Sequence, residues 1–278
     1  MKAHRHTGNI SFFFHGIFLI ITSLLAQTAA AQQSAADLWE TALRPAIFGD
    51  REIQDAGDLL RIEAPKRAED PALVPVKIVT GTEQQSDRYI KRITLLIDKN
   101  PDPKAGTFTF TPASGRADLD LRVRVDQYSH IRAIAETSDG KLFMASRFVK
   151  GSGGCSAPAA GNLALAMERL GRMQLKTRQD EPTGLLAAQL KVSHPNITGM
   201  QKDQVTHLYY PAHYVRNIDV KLDDTPIFSA EVGISISENP TFRFYLKPEQ
   251  SGRLIAEVTD SEKNVFIKDA EIAVRGDS

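Results

Sequence analysis

One stretch of this sequence is equipped for covalent chemistry: Val149-Lys150-Gly151-Ser152-Gly153-Gly154-Cys155-Ser156-Ala157, which contains the one cysteine of the 278-residue chain. A cysteine thiolate is a nucleophile and forms sulfur–sulfur bonds. Gly151, Gly153 and Gly154 remove side chains that would shield the sulfur and widen the backbone conformations open to the segment. The pattern predicts a displayed thiol on a flexible arm, and Gly151 to Gly154, fully extended, would reach on the order of 13 Å into a partner's cleft. With no second cysteine an internal disulfide is ruled out, so the thiol is free, modified or paired with another molecule, a disulfide dimer through Cys155 included. A thiol–disulfide enzyme fits poorly, because nothing in the chain can resolve a mixed disulfide. A phosphate loop does not fit either, since no Lys-Ser or Lys-Thr pair closes the glycine run.

Other candidate groups read as structural. Asp98, Asn100 and Asp102 open like a calcium loop, but Pro103 stands where a glycine is needed and Thr109 where the last chelating acid should be, so the segment predicts a turn. Asp118 and Asp120 fall on one side of a strand and predict a solvated face rather than a carboxylate pair for acid and base work. His207 and His213 lack a third ligand at a metal-like spacing and predict surface or interface histidines. Asn196-Ile197-Thr198 has the form of a glycosylation triplet, a frequent chance match.

The elements that must position the cysteine are strands. Residues 1 to 31 read as a secretory leader, with Lys2, His4, Arg5 and His6 ahead of an apolar run and Ala29-Ala30-Ala31 as the cleavage site. That predicts export to the periplasm with no membrane anchor retained. The chain carries 34 basic and 34 acidic residues, and loss of Lys2 and Arg5 with the leader leaves a balance of about −2, which gives no nucleic-acid footprint. Leu38, Trp39, Leu43, Ile47 and Phe48 suggest a short helix broken around Pro45. Beyond it the period becomes two: Val74, Val76 and Ile78; Ile93, Leu95 and Ile97; Leu119, Leu121, Val123 and Val125. Asp139-Gly140 marks a hairpin between Ile131–Thr137 and Leu142–Val149.

Residues 37–150 therefore read as one antiparallel sandwich of the immunoglobulin kind, and residues 183–276 as a second. Its turns lie at Asp223-Asp224-Thr225 and at Ser261-Glu262-Lys263-Asn264. Between the two, residues 151–182 read as the cysteine arm and a linker helix. Ser156 and Pro158 are its start signals, with Leu163, Met167 and Leu170 at helical spacing up to about Lys176. A helix beginning there would aim its positive end at Cys155 and favour the thiolate. The fold class is all-β: two immunoglobulin-like domains joined by a glycine-rich cysteine loop and a short helix.

These residues resemble a known family. A leader, Trp39, the run Ile47-Phe48-Gly49-Asp50 and a β-domain ending in Gly153-Gly154-Cys155 resemble SoxY, the sulfur-carrying subunit of periplasmic sulfur oxidation. Gly199-Met200, Tyr210-Pro211-Ala212-His213-Tyr214-Val215, Ser237-Glu238-Asn239-Pro240 and Phe242-Arg243-Phe244 resemble SoxZ. The order is that of the fused SoxYZ-like carriers associated with quinoprotein dehydrogenases.

The resemblance implies that Cys155 is the carrier cysteine and Gly153 and Gly154 its arm glycines. The thiol would hold a sulfur compound by a disulfide-type bond and pass it among separate sulfur-oxidation enzymes, with no catalytic residue, cofactor or metal of its own. Ser156-Ala157-Pro158 depart from the pattern, since SoxY's arm ends in glycines whereas here the arm is tied at both ends. The alternative that stays open is an accessory module that docks on a PQQ-dependent quinoprotein alcohol dehydrogenase.

Overall fold

The computed structural model describes residues 38–85, 87–158 and 163–274. The leader assigned to residues 1–31 lies outside them. The chain divides after Asp50 into two compact units. In the first, a π-helical turn over Trp39–Leu43 passes directly into α1 (Arg44–Phe48). Pro45 does not break the helix. It sits in the first turn of α1, at the junction with the π-helical turn, where the backbone accommodates its missing N–H. The rings of Trp39 and Phe48 meet edge to face, with centroids 6.2 Å apart.

Among the described residues the second unit holds fifteen strands and one short α-helix. The first eight strands are β1 (Ile53–Asp55), β2 (Leu60–Glu63), β3 (Val74–Thr80), β4 (Ile90–Ile97), β5 (Lys104–Phe110), β6 (Leu119–Val123), β7 (Ser129–Thr137) and β8 (Leu142–Val149). After α2 (Leu163–Glu168) come β9 (Met173–Asp180), β10 (Leu185–Val192), β11 (Val215–Leu222), β12 (Thr225–Val232), β13 (Thr241–Leu246), β14 (Gly252–Asp260) and β15 (Val265–Ile272). The helix expected to run to about Lys176 stops at Glu168, and Met173 onward is strand. There β9 pairs antiparallel with β10 along its whole length, and those ladder bonds outweigh the weak local preference for helix.

The strands form two sheets. One has nine strands in the order β1-β8-β7-β4-β5-β12-β11-β14-β15, and the other six in the order β2-β3-β6-β13-β10-β9. All pairings between these strands are antiparallel except β1 with β8. Alternate side chains such as Leu119, Leu121 and Val123 of β6 turn inward to one shared core, as the period-two pattern predicts.

Both sheets run through from the first set of strands to the second. In the larger, β5 pairs with β12, setting Phe110 opposite Phe228 and Phe108 opposite Ala230. In the smaller, β6 meets β13 at Asp120 and Arg243. Buried rings fill this seam: Phe228 stacks on Phe244 at 4.8 Å and lies 5.5 Å from Phe110. Each buried phenylalanine contributes about 1.5–3 kcal/mol of apolar burial. The two immunoglobulin-like sets of strands thus share both sheets and one hydrophobic core.

Candidate functional site

The cysteine loop lies between the two sets of strands. Its floor is the segment Arg124-Val125-Asp126 that leaves β6. The backbone N–H of Gly153 donates to the Asp126 carbonyl at 2.8 Å and that of Gly154 to the Val125 carbonyl at 3.1 Å. The Cys155 N–H donates to Oδ1 of Asp126 at 3.2 Å. Further back, the Ala68 N–H donates to the Lys150 carbonyl at 2.9 Å, so the arm is tied from its first residue.

The cover is the strap His194–Gln201 that follows β10. Thr198 donates through Oγ1 to the Cys155 carbonyl at 2.7 Å, and Gln201 through Nε2 to the Ala157 carbonyl at 3.2 Å. The arm is therefore closed and folded rather than extended. Cys155 is fully buried, in contrast to the displayed thiol that the glycines suggested.

The glycines serve close approach. A Cβ on Gly154 would lie 2.1 Å from the Pro71 carbonyl oxygen and 2.7 Å from that of Val125, positions no side chain can share. One on Gly151 would come within 3.1 Å of the Val125 side chain. Gly153 supplies the turn itself, with φ of +77°, which side chains rarely adopt. Sequence reading took this local composition as mobility, because the partners that require it are more than twenty residues away.

The electrostatics are those of a protected thiol. Burial, followed by the negative charge of Asp126, pushes the Cys155 thiol up to about 12, while Arg124 pulls it the other way. The expected lowering does not occur: the dominant influence on the sulfur is loss of water. A disulfide between two chains through Cys155 would require the loop to open first.

Arg124, which continues the polar alternation of Asp120 and Arg122, is 1% exposed. Its Nη1 donates to the Gly154 carbonyl at 3.1 Å and its Nη2 to the Asn196 carbonyl at 3.3 Å, so one guanidinium ties the arm to the strap. Its Nε has no acceptor among the described residues.

Asn196 and Thr198, the ends of the glycosylation-like triplet, are both buried strap residues. Asn196 donates through Nδ2 to the Ile236 and Ser237 carbonyls and accepts the Val215 N–H on Oδ1.

The remaining candidates are also structural. Asp98 accepts two bonds from Nε of Arg132 at 2.9 Å, and Asn100 Nδ2 donates to the Arg124 carbonyl and to Ser235 Oγ, so this segment is a turn between β4 and β5. Asp118 is not on a solvated face. It is buried and accepts from the Thr80 N–H and Oγ1, while Asp120 stays half-exposed.

His207 is exposed, but His213 is buried against His194 and Asp260, contrary to the surface or interface position expected of it. These three bring potential metal-ligand atoms within 4.8 Å of one another. The donor set is nevertheless that of a hydrogen-bond hub. Nδ1 of His194 accepts the Asn196 N–H, which leaves the proton on Nε2, facing Oδ2 of Asp260 at 3.6 Å. That oxygen already accepts from His213 Nε2 and Asn264 Nδ2, each at 2.8 Å. The hub fixes the base of the strap. Their grouping does not show in the sequence, because His213 and Asp260 lie 47 residues apart.

Comparison with known families matches two successive stretches of the chain. Residues 44–155 match the family model of the sulfur oxidation protein SoxY, and residues 174–271 that of the sulphur oxidation protein SoxZ. The chain is a fused SoxYZ-like protein. The SoxY match ends on Cys155 itself, and the SoxZ match opens one residue into β9.

Among solved structures, the sulfur carrier protein SoxY from Chlorobium limicola f thiosulfatophilum is 25% identical, covering 44% of this fusion and 98% of that chain with a TM-score of 0.36. The superoxide reductase (neelaredoxin) from Ignicoccus hospitalis is 20% identical over 33% of the fusion and 78% of its own chain, with a TM-score of 0.30. The fibronectin(III)-like modules of Clostridium thermocellum CbhA are 12% identical over 77% and 93%, with a TM-score of 0.22. No curated protein matched the sequence.

Proposed function

We propose that this SoxY–SoxZ fusion is a periplasmic covalent carrier: Cys155 bears a sulfur-compound intermediate and presents it to partner enzymes of sulfur oxidation. The observation that carries this reading is the coincidence of the chain's one cysteine with the last residue of the SoxY match. The leader-like residues 1–31 support the compartment.

Joining the thiol to a sulfur anion through a sulfur–sulfur bond releases one proton and two electrons, so loading needs an electron-accepting partner enzyme. The fusion is a carrier and not a catalyst in this scheme. The closed loop keeps the thiol protonated and out of reach, and transfer takes place from an opened loop in which the bonds from Asp126, Thr198 and Gln201 are released.

The test is the intact mass of protein isolated from its own host during growth on a reduced sulfur compound, before and after reduction, beside Cys155→Ser. Reducible sulfur-containing adducts confined to Cys155 are the expected result. A clean free thiol together with a fully functional serine variant would overturn the proposal in favour of a docking module for a quinoprotein dehydrogenase.

A further inference from the structure

A buried guanidinium is costly unless its charge is compensated. Among the described residues Arg124 makes no ion pair, and its two bonds go to carbonyl oxygens, one in the arm and one in the strap. Opposing charge reaches it only through space, from Glu238 and Asp70. Nε stands without an acceptor in a residue that is only 1% exposed. Stability alone does not account for this arrangement, since an apolar side chain would fill the same space without the desolvation cost. The cation is set against the peptide that precedes the reactive sulfur.

We propose that Arg124 is the anion-recognition group of the Cys155 site, and that it selects a sulfur oxyanion, a sulfonate- or sulfite-type end, on whatever is carried there. This rests on the carrier reading for the identity of the cargo. When the loop opens, the bond to the Gly154 carbonyl breaks, and Nη1 joins Nε as a donor without an acceptor. An oxyanion satisfies both with charge-assisted bonds of the kind for which a guanidinium fork is suited. An anionic cargo thus offsets the cost of opening, whereas a neutral one leaves the buried cation unsatisfied. Discrimination between cargoes and exposure of the thiol are two effects of one side chain.

The test compares alkylation of Cys155 by iodoacetate and by iodoacetamide, reagents with the same reacting carbon and leaving group that differ in charge. Both sample the same loop opening, so the ratio of their rates is independent of how often the loop opens. The folded protein is expected to show an iodoacetate-to-iodoacetamide ratio about tenfold above that of the same chain unfolded in urea. R124Q should bring the ratio down to the unfolded value, while K66Q, which removes an exposed lysine, should leave it unchanged.

If R124Q does not fold, methanesulfonate added to the wild-type protein decides the matter. It should slow iodoacetate more than iodoacetamide, whereas equal chloride should not. A folded ratio equal to the unfolded one, or an equal fall in K66Q, would overturn the proposal. Adducts on Cys155 with a flat reagent ratio would leave the carrier reading standing and remove Arg124 from it. The converse pair of results would do the reverse.

Discussion

Thr198 Oγ1 holds the carbonyl oxygen of Cys155 at 2.7 Å, so the SoxZ half keeps the cysteine of the SoxY half closed. A buried neutral hydrogen bond contributes about 1 kcal/mol. Thr198→Val is therefore expected to raise the rate at which iodoacetamide labels Cys155 about fivefold. Melting temperature should fall by only about 2–4 °C, because the same loss of about 1 kcal/mol is small against the unfolding of the whole domain.

Gly154→Ala should have a larger effect. Its Cβ would overlap the Pro71 carbonyl oxygen, and neither that backbone nor the Val125 carbonyl can yield cheaply. The variant is expected to lose about 1–3 kcal/mol in denaturant unfolding and to label rapidly at Cys155, since the loop can relieve the clash only by leaving its seat.

The thiol sets an alkaline limit. A free cysteine ionises near 8.5, while the folded Cys155 thiol lies at about 12. The unfolded or opened chain binds fewer protons between those values, so the closed form is fully favoured below about pH 8.5 and loses stability as the pH rises toward 12. Labelling should rise steeply with pH in the folded protein and level off near pH 9 in the unfolded chain. Asp126→Asn keeps an acceptor for the Cys155 N–H but removes the adjacent charge. Its labelling profile should shift to lower pH.

The hub beneath the strap sets an acid limit. Burial and neighbouring His213 hold the His194 ring down to about 4, below the ordinary 6.5. Here the unfolded chain binds the extra proton, so stability is fully present above about pH 6.5 and declines as the pH falls toward 4. Thermal melts across that interval should show the decline in the wild type and a shallower one in His194→Gln, which cannot take up a proton. Glu262, 3.7 Å from His213 Nδ1, and Asp260, 2.8 Å from Nε2, face the other ring.

Much of the fold was legible because its signals are local. The alternation in β6, the Asp139-Gly140 hairpin and the turn at Asp223-Asp224 each lie within a few residues. The cysteine itself was legible from composition. The state of its sulfur was not, because burial of Cys155 depends on Asp126, Thr198 and Gln201, none of which is its neighbour in sequence. The same limit applies to Arg124: it continues the polar alternation of Asp120 and Arg122, and the strap residue it bonds, Asn196, lies 72 residues away. Glycine is ambiguous in sequence for a physical reason: lack of a side chain permits both mobility and tight packing, and only the neighbours decide between them.

The pairing of β5 with β12 makes the two halves of this protein a single cooperative body. The two halves are parts of one chain, so the closed loop is assembled at any dilution and without a search for a partner. The effective concentration of strap at arm is fixed by the seam, and the balance between closed and open thiol should be insensitive to protein concentration. The geometry of the sheet thereby confines control of the cysteine to what binds it and to pH.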